Sequence, residues 1–445
     1  MKIIIAGAGE VGIHLAKMLS KENHSITIIG EKEEVMANLN ANYDLMTIVG
    51  DPCSISILKD AGCASADLFI GVTPEESRNI VAGYIAHNLG SKKVVIRVES
   101  PEYMKEEHRS YFQHLGIDSL ICPELLAAKE IVETVDRPWI RQYHSFGNGE
   151  LVLICVKVRE GAPIINQELM NLFKQEEVCR IAAIKRGHQT IIPSGRDIIM
   201  TDDVVYFITT PEELETVRKL AGKPLEKVEN VMIMDGSRIA ILAAEKLSKT
   251  LNVKIIEQSR SRSEYIKERL GSKVMVIQGD GRDMDLLNDE NIESMEAYIA
   301  LTGSDETNIF SCLAAKRFGV PRSIAEVEQL DYIPLADNLD IGIVINKKLI
   351  AAGHIYQMML DADVTNMKCL TFANADVAEF IVKENSKITK KQVKDLHLPE
   401  NLSLGGLIRD GKGIIIYGNT QIQAGDRVVI FCLSSQIQKV EKYFH

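Results

Sequence analysis

The sequence predicts an α/β protein: two Rossmann-like, doubly wound parallel-sheet domains, each followed by a small α+β domain. Three observations carry that prediction. First, the chain is built twice. "VTPEESRNI" (from Val72) returns as "LTGSDETNI" (from Leu301), with Thr73 and Thr302 229 residues apart. "VGDPCS" (from Val49) returns as "QGDGRD" (from Gln278) at the same offset. A period this long marks duplicated domains and not a short-repeat solenoid. Second, short apolar runs alternate with helical stretches, the pattern of parallel βαβ units. Third, a glycine-rich turn follows the first apolar strand and opens a helix.

The elements follow in order. "KIIIAG", "SITIIG", "LMTIVG", "ADLFIGVT" and "KVVIRV" are the strands of a first large domain, residues 1–136. Several of them run straight into Gly, Thr or Asp, and ligands of such sheets bind outside the carboxyl ends of the strands. The Arg137-Pro138-Trp139 step breaks the alternation. "ELVLICVKV", "CRIAAIKR", "QTIIPSG" and "DVVYFIT", with a helical stretch near Leu169 to Lys174, make a small domain over 137–226. The second large domain covers 227–363. Its small companion, 364–445, answers the first with "VAEFIVKE", "LGGLIRDGKGIIIYGN" and "AGDRVVIFC".

Composition bounds the function. Of the 445 residues, 46% are hydrophobic and 25% charged, as in an ordinary globular protein. No apolar run approaches the roughly 18 residues a membrane-spanning helix needs. "MKIIIAGAGE" reads as a strand entering a turn and not as a signal peptide, so a cytoplasmic chain is expected. A net charge of −11 argues against nucleic acid or anionic lipid as a general partner. The eight cysteines are scattered without a C-x-x-C pair, so reduced, buried thiols are expected.

The strongest site signal is Gly7-Ala8-Gly9-Glu10-Val11-Gly12. Gly7 allows the tight turn, Gly9 lets backbone approach a pyrophosphate, and Gly12 permits close helix–strand packing. The helix N-terminus then offers free N–H groups to phosphate. A ribose-binding acid belongs at the end of the second strand. There the chain has Gly30, with Glu31 beside it and Lys32 beyond, which leaves NAD(H), NADP(H) and ATP or ADP all open. In the second copy the turn is Asp235-Gly236-Ser237-Arg238-Ile239-Ala240, where an Asp carboxylate would repel a pyrophosphate. Glu257 nevertheless stands in the ribose-acid position and Gly279-Asp280-Gly281 is intact. A sheet kept for packing and dimerisation competes there with a working site. His14, His108 and His114 lack metal-ligand spacing, so no metal site is expected. Glu75-Glu76 and Asp305-Glu306 are expected to cap helices.

"MKIIIAGAGEVGIHLAKMLS", "AGCASADLFIGVTPEESRNIVA", "IRVESPEYM", "IDSLICPELLAAKEI" and the fourfold domain order together resemble the TrkA family. These are regulatory subunits of Trk-type potassium uptake systems, with two RCK units (regulator of potassium conductance) in tandem. The resemblance covers essentially the whole chain. It implies a non-enzymatic cytoplasmic protein that binds NAD(H) or ATP/ADP. It also implies a homo-oligomer, a tetramer or dimer of dimers forming an RCK ring, under a TrkH- or TrkG-like membrane subunit. The family's nucleotide residues fall on Gly7 to Val11, Asp51, Thr73, Pro74, Arg97 and Val98, and in the second half on Glu257, Asp280 and Thr302. Gly30 for the ribose acid, the lost second glycine turn, and Pro52 in the first Gly-Asp turn depart from the pattern.

Two other classes compete. An NAD-dependent oxidoreductase would need a catalytic domain with a proton-transfer group and a substrate clamp, and only the small domains could supply one. A structural scaffold would bind no nucleotide at all.

Overall fold

In the computed structural model, residues 1–20, 24–172, 178–187, 189–359, 364–370, 375–399, 402–433 and 443–444 are described. The first sheet is parallel and contains β1 (Lys2–Ala6), β2 (Ser25–Gly30), β3 (Met46–Val49), β4 (Leu68–Gly71), β5 (Val94–Arg97) and β6 (Ser119–Ile121). Its order is β3-β2-β1-β4-β5-β6. Helices cover both faces of such a sheet, so its central strands read as unbroken apolar runs. Ile3, Ile4, Ile5, Phe69 and Ile70 are accordingly fully buried.

The strand order reverses between β1 and β4. Crossovers leave these neighbours in opposite directions, which opens a crevice at their carboxyl ends. The Gly7 turn, after β1, and Thr73, after β4, meet there.

Two small antiparallel sheets and a second parallel sheet follow. The first small sheet has β7 (Gln142–Phe146), β8 (Leu151–Lys157), β9 (Cys179–Arg186), β10 (Gln189–Ile191) and β11 (Val204–Thr209), in the order β10-β9-β11-β8-β7. The second parallel sheet has β12 (Asn230–Met234), β13 (Asn252–Glu257), β14 (Val274–Gln278), β15 (Ala297–Ala300), β16 (Arg322–Glu326) and β17 (Ile343–Ile345). Its order, β14-β13-β12-β15-β16-β17, repeats the first. The last sheet has β18 (Val364–Cys369), β19 (Ala375–Ile381), β20 (Leu402–Arg409), β21 (Lys412–Ile415) and β22 (Arg427–Leu433). Its order, β18-β19-β22-β20-β21, is that of the first small sheet with the same connections.

By contact the chain divides into two compact units. The first is Met1–Leu126 together with Lys347–Met359, so a helix that the sequence reading assigned to the second large domain, 227–363, packs here instead, against helix Glu10–Leu19. The second is Ala127–Asn346 with Leu360–His445. Within it the two small sheets approach closely enough that a Cβ on Gly405 would stand 1.9 Å from Ile208 Cδ1, and one on Gly413 2.2 Å from the Glu150 carbonyl oxygen. The backbone contact at Gly413 admits only glycine, whereas a side chain at position 405 would force Ile208 to move. Arg141 joins the first small domain to the second parallel-sheet domain through Asp337 (2.6 Å) and Asp340 (2.9 Å), and Lys185 adds a 3.3 Å contact to Asp337.

Some elements escaped the sequence reading. β6, β7, β17 and β18 were not anticipated, being short or polar. The expected helix near Leu169 is Leu169–Leu172, while Phe173 and Lys174 lie outside the described residues, as does Asp363 at an expected boundary. Among the described residues no helix is long and apolar enough to cross a membrane.

Candidate functional site

The first copy's crevice is built around three glycines with three separate duties. Gly7 adopts φ +123°, and a Cβ there would lie 2.7 Å from the Thr73 nitrogen. A Cβ on Gly12 would lie 1.9 Å from the Gly7 oxygen, so Gly12 lets helix Glu10–Leu19 sit on the turn. Gly9, by contrast, has no atom of another described residue, its two chain neighbours aside, within 4 Å of its Cβ position. It is the glycine that faces open space, above a helix whose first-turn N–H groups have no intrahelical acceptor. Ala8 is half-buried, Glu10 exposed and Val11 buried.

The opposite wall is organised by Asn79, which sequence reasoning passed over. Its Oδ1 accepts from the Thr73 N–H (2.8 Å) and the Thr73 hydroxyl (2.7 Å). Its Nδ2 donates to the carbonyls of Thr73 (3.0 Å) and Arg97 (2.9 Å). One buried amide thus ties the end of β4 to the end of β5. Asn308 repeats the arrangement at Thr302, with Nδ2 reaching the Glu326 carbonyl at 2.8 Å. The signal was available: Asn79 and Asn308 are identical residues at the repeat offset.

Arg97 Nη2 pairs with Glu124 at 2.9 Å and lies 3.6 Å from Glu99. Arg97 Nε and Glu124 Oε2 are buried without a hydrogen-bond partner, leaving one donor and one acceptor unused beside the crevice. Val98 fills the core with its side chain and donates its N–H to the Ile121 carbonyl. Pro74 is exposed at the rim.

Gly30 ends β2 where a ribose acid was expected. A Cβ there would stand 2.4 Å from the Ala8 Cβ and 2.8 Å from Met36 Sδ, so the Ala8 methyl excludes any side chain at position 30. Glu31 and Asp51 stand at the same end of the crevice, both held by Arg78 Nη2 at 2.6 Å. The Asp51 carboxyl titrates below its usual range, held there by the Cys53 backbone N–H and then by Arg78.

The second copy makes the reciprocal choice. Its turn has Gly236 in the place of Ala8, and β13 ends in Glu257, which is 3% exposed. Glu257 accepts from the Gly236 N–H (2.9 Å) and the Ser259 N–H (2.6 Å). A carboxylate of the chain itself therefore occupies a turn N–H that phosphate takes in an intact site. Asp235, in Gly7's place, holds φ +76°, and its carboxyl is pushed up to about 6 by burial and then by Glu257. A cavity of about 330 Å³ remains, lined by Asp235, Gln258, Asp280, Arg282 and Thr302. Asp280 is paired with Arg282 at 2.7 Å.

Of the four loop acids expected to cap helices, Glu75 makes no side-chain cap bond, and Glu76 and Asp305 reach another loop. Glu76 accepts from the N–H groups of Glu99 and Ser100, and Asp305 from those of Glu328 and Gln329. Each satisfies the loop after the next strand, while Ser304 caps helix Asp305–Arg317.

Comparison with known proteins places these features. The TrkA-N domain model matches residues 3–123 and 231–347, and the TrkA-C domain model matches 153–222 and 377–445. The chain is 30% identical to the Trk system potassium uptake protein TrkA of Haemophilus influenzae, across 100% of this chain and 98% of that one. It is 31% identical to a TrkA homolog of Archaeoglobus fulgidus, over the full length of both. Among solved structures, the GsuK RCK domain superposes with a TM-score of 0.62 at 16% identity, covering 100% of this chain and 94% of that one. The GsuK channel bound to NAD gives 0.62 at 15%, covering 100% and 78%. With both domain models matched twice in alternation and relatives aligned end to end, the chain belongs to the TrkA family of tandem RCK proteins.

Proposed function

We propose that this chain is the nucleotide-binding regulatory subunit of a Trk-type potassium uptake system, and that its first copy is the working dinucleotide site. The observation that carries the reading is the contrast between the copies. Gly9 opens onto free space above a helix N-terminus, whereas the corresponding turn of the second copy is already engaged by Glu257. NAD(H) would lay its pyrophosphate on Gly7 to Val11, with its adenosine end toward Glu31 and Asp51 and with Thr73, Pro74, Arg97 and Val98 forming the other wall. ATP or ADP would use the same phosphate turn. At the second copy, Thr302, Asp280 and the cavity beside them would suit a ligand without a pyrophosphate.

The relatives carry the name of a potassium uptake system, and a structurally similar channel has been solved with NAD. Carried over to this chain, the reading is regulation without turnover, at the cytoplasmic face of a TrkH- or TrkG-like membrane subunit, in a homo-oligomeric ring. A nucleotide would shift the equilibrium between two arrangements of the chain only by its differential affinity for them. A hundredfold difference is worth about 2.7 kcal/mol.

Calorimetry of the full-length protein with NADH, NAD, ATP and ADP tests this, alongside a Gly9→Asp variant that places a carboxylate where the phosphates would lie. Binding near the micromolar range that disappears in Gly9→Asp supports the first-copy site. Binding that survives moves the site to the second copy. Conversion of the cofactor with any reductant would favour an oxidoreductase instead.

A further inference from the structure

Arg78 lies in the segment that the two copies share, yet its counterpart in the second copy is Thr307. The guanidinium reaches Glu31 and Asp51 with the same Nη2, at 2.6 Å each, and its Nη1 lies 3.5 Å from the second Glu31 oxygen. Arg78 is about one-quarter exposed, while both acids are more than half exposed. Asp51 is already turned by the Cys53 N–H at 2.9 Å, whereas Glu31, a longer and exposed carboxylate, would be free to rotate, so the arginine fixes Glu31 beside an acid that is already placed.

The second copy rebuilds the same contact from another direction. Arg282 pairs with Asp280 at 2.7 Å, and its first-copy counterpart is Cys53. A guanidinium thus sits on the Gly-Asp carboxylate in both copies, supplied by the turn in one and by a helix in the other. Only the helix-borne arginine also collects a second acid, and it does so in the copy whose ribose-acid position is Gly30. Ala8 forbids a side chain at position 30, and Glu31 lies one residue too late to face the crevice by strand geometry alone.

We propose that Arg78 is a positioning residue that holds Glu31 and Asp51 as a paired acceptor for the two ribose hydroxyls, selecting adenine nucleotides with a free 2′-hydroxyl over 2′-phosphorylated ones. The proposal rests on the first-copy nucleotide reading and adds to it the residue that sets the discrimination against a 2′-phosphate. The chemistry follows from the charge: two carboxylates and one guanidinium leave the trio one unit negative. Ribose hydroxyls donate well to carboxylates, whereas a 2′-phosphate would meet net repulsion. Lys32, next to Glu31, is exposed, so water screens its charge more than that of the partly buried Arg78.

The test is fluorescence titration of the full-length protein with NADH and with NADPH. The signal lost in Gly9→Asp defines binding at the first copy. The unsubstituted protein is expected to prefer NADH by about tenfold or more, the usual effect of one charge-assisted contact at a ribose. Arg78→Thr, which installs the second copy's residue, should weaken NADH about tenfold, with part of the loss recovered in Arg78→Lys. Glu31→Gln should shift the preference toward NADPH by uncovering the guanidinium, and that shift should vanish in Glu31→Gln/Arg78→Thr. Both acids are more than half exposed and Arg78 about one-quarter, so unfolding temperatures should change little. Equal affinity of the unsubstituted protein for NADH and NADPH would overturn the proposal, as would an Arg78→Thr variant with both affinities intact. Tighter binding of NADPH than NADH would instead make Arg78 a phosphate receptor. No binding, or binding indifferent to Gly9→Asp, would remove the first-copy reading and the clamp with it.

Discussion

Lys348 Nζ stands 3.1 Å from Glu10 Oε2, so a cation from helix Lys347–Met359 lies beside the first residue of the helix that carries the phosphate turn. The lysine side chain is only 11% exposed, and its charge is poorly screened by water. It adds to the positive end of that helix, where anions already find free N–H groups. Lys348→Gln is expected to weaken ADP binding about three- to tenfold at low salt and less at high salt, because screening already reduces the lost term. Calorimetry at two potassium chloride concentrations checks this. A loss of the same size at both would mean that Lys348 acts through helix packing and not through its charge.

Asn79 and Asn308 should prove equally costly to replace. An Asp in either place keeps the two accepted hydrogen bonds but turns a donor toward two carbonyls into a second acceptor. The expected loss is about 2–4 kcal/mol for each, since buried carbonyls would be left facing a carboxylate. Asn79→Asp should lower the unfolding temperature and abolish nucleotide binding at the first copy together. If binding disappeared with stability untouched, Asn79 would be a ligand contact and not the tie between β4 and β5.

Asp235 gives the second unit a pH dependence of defined sign. Its folded-state carboxyl titrates at about 6, raised by burial and then by Glu257. An acid with a raised folded pKa favours the fold fully below its unfolded pKa, and that contribution is lost as pH rises through the folded value. At neutral pH Asp235 therefore costs stability, by about 1–2 kcal/mol once partial solvent exposure is allowed for. Asn suits the left-handed backbone found there and carries no charge. Asp235→Asn should raise the unfolding temperature at neutral pH, and the gain should fade to nothing as pH drops from about 6 to about 4. A gain that persists at pH about 4 would show that charge is not the cause.

The fold was legible because its signals are periodic and repeated. Ile3 to Ile5 and Leu68 to Ile70 are continuous apolar runs, as a parallel sheet buried on both faces requires, and the offset of 229 doubled every inference. β6 and β17 escaped because three residues are too few to show a period. The phosphate turn was legible because each of its glycines answers a steric demand that any nucleotide-binding turn makes. Arg78 was not, since Glu31 and Asp51 lie 47 and 27 residues away and only the folded sheet assembles them; Asn79 left a trace in its identity with Asn308, but its tie from Thr73 to Arg97 needs the sheet. Gly30 was legible as a departure, but its reason lies in the methyl group of Ala8.

That last relationship can be tested by exchange. The first copy pairs Ala8 with Gly30, and the second pairs Gly236 with Glu257, so the side chain and the glycine have traded places across the same contact. Gly30→Asp alone would drive its Cβ to within 2.4 Å of the Ala8 Cβ. It is expected to destabilise the first unit by about 1–3 kcal/mol, the usual cost of overpacking. Ala8→Gly alone should cost little beyond backbone freedom, about 0.5–1 kcal/mol. The Ala8→Gly/Gly30→Asp double variant should recover most of the stability lost in Gly30→Asp, because the Met36 thioether is flexible enough to yield the remaining space. Such a coupling, measured as the non-additive part of a double-mutant cycle, is what two side chains competing for one volume must give. Strict additivity would mean that some other contact fixes glycine at position 30. Recovered stability together with lost nucleotide binding would mean that the new carboxylate has turned inward, as Glu257 does, onto the N–H groups the phosphates need.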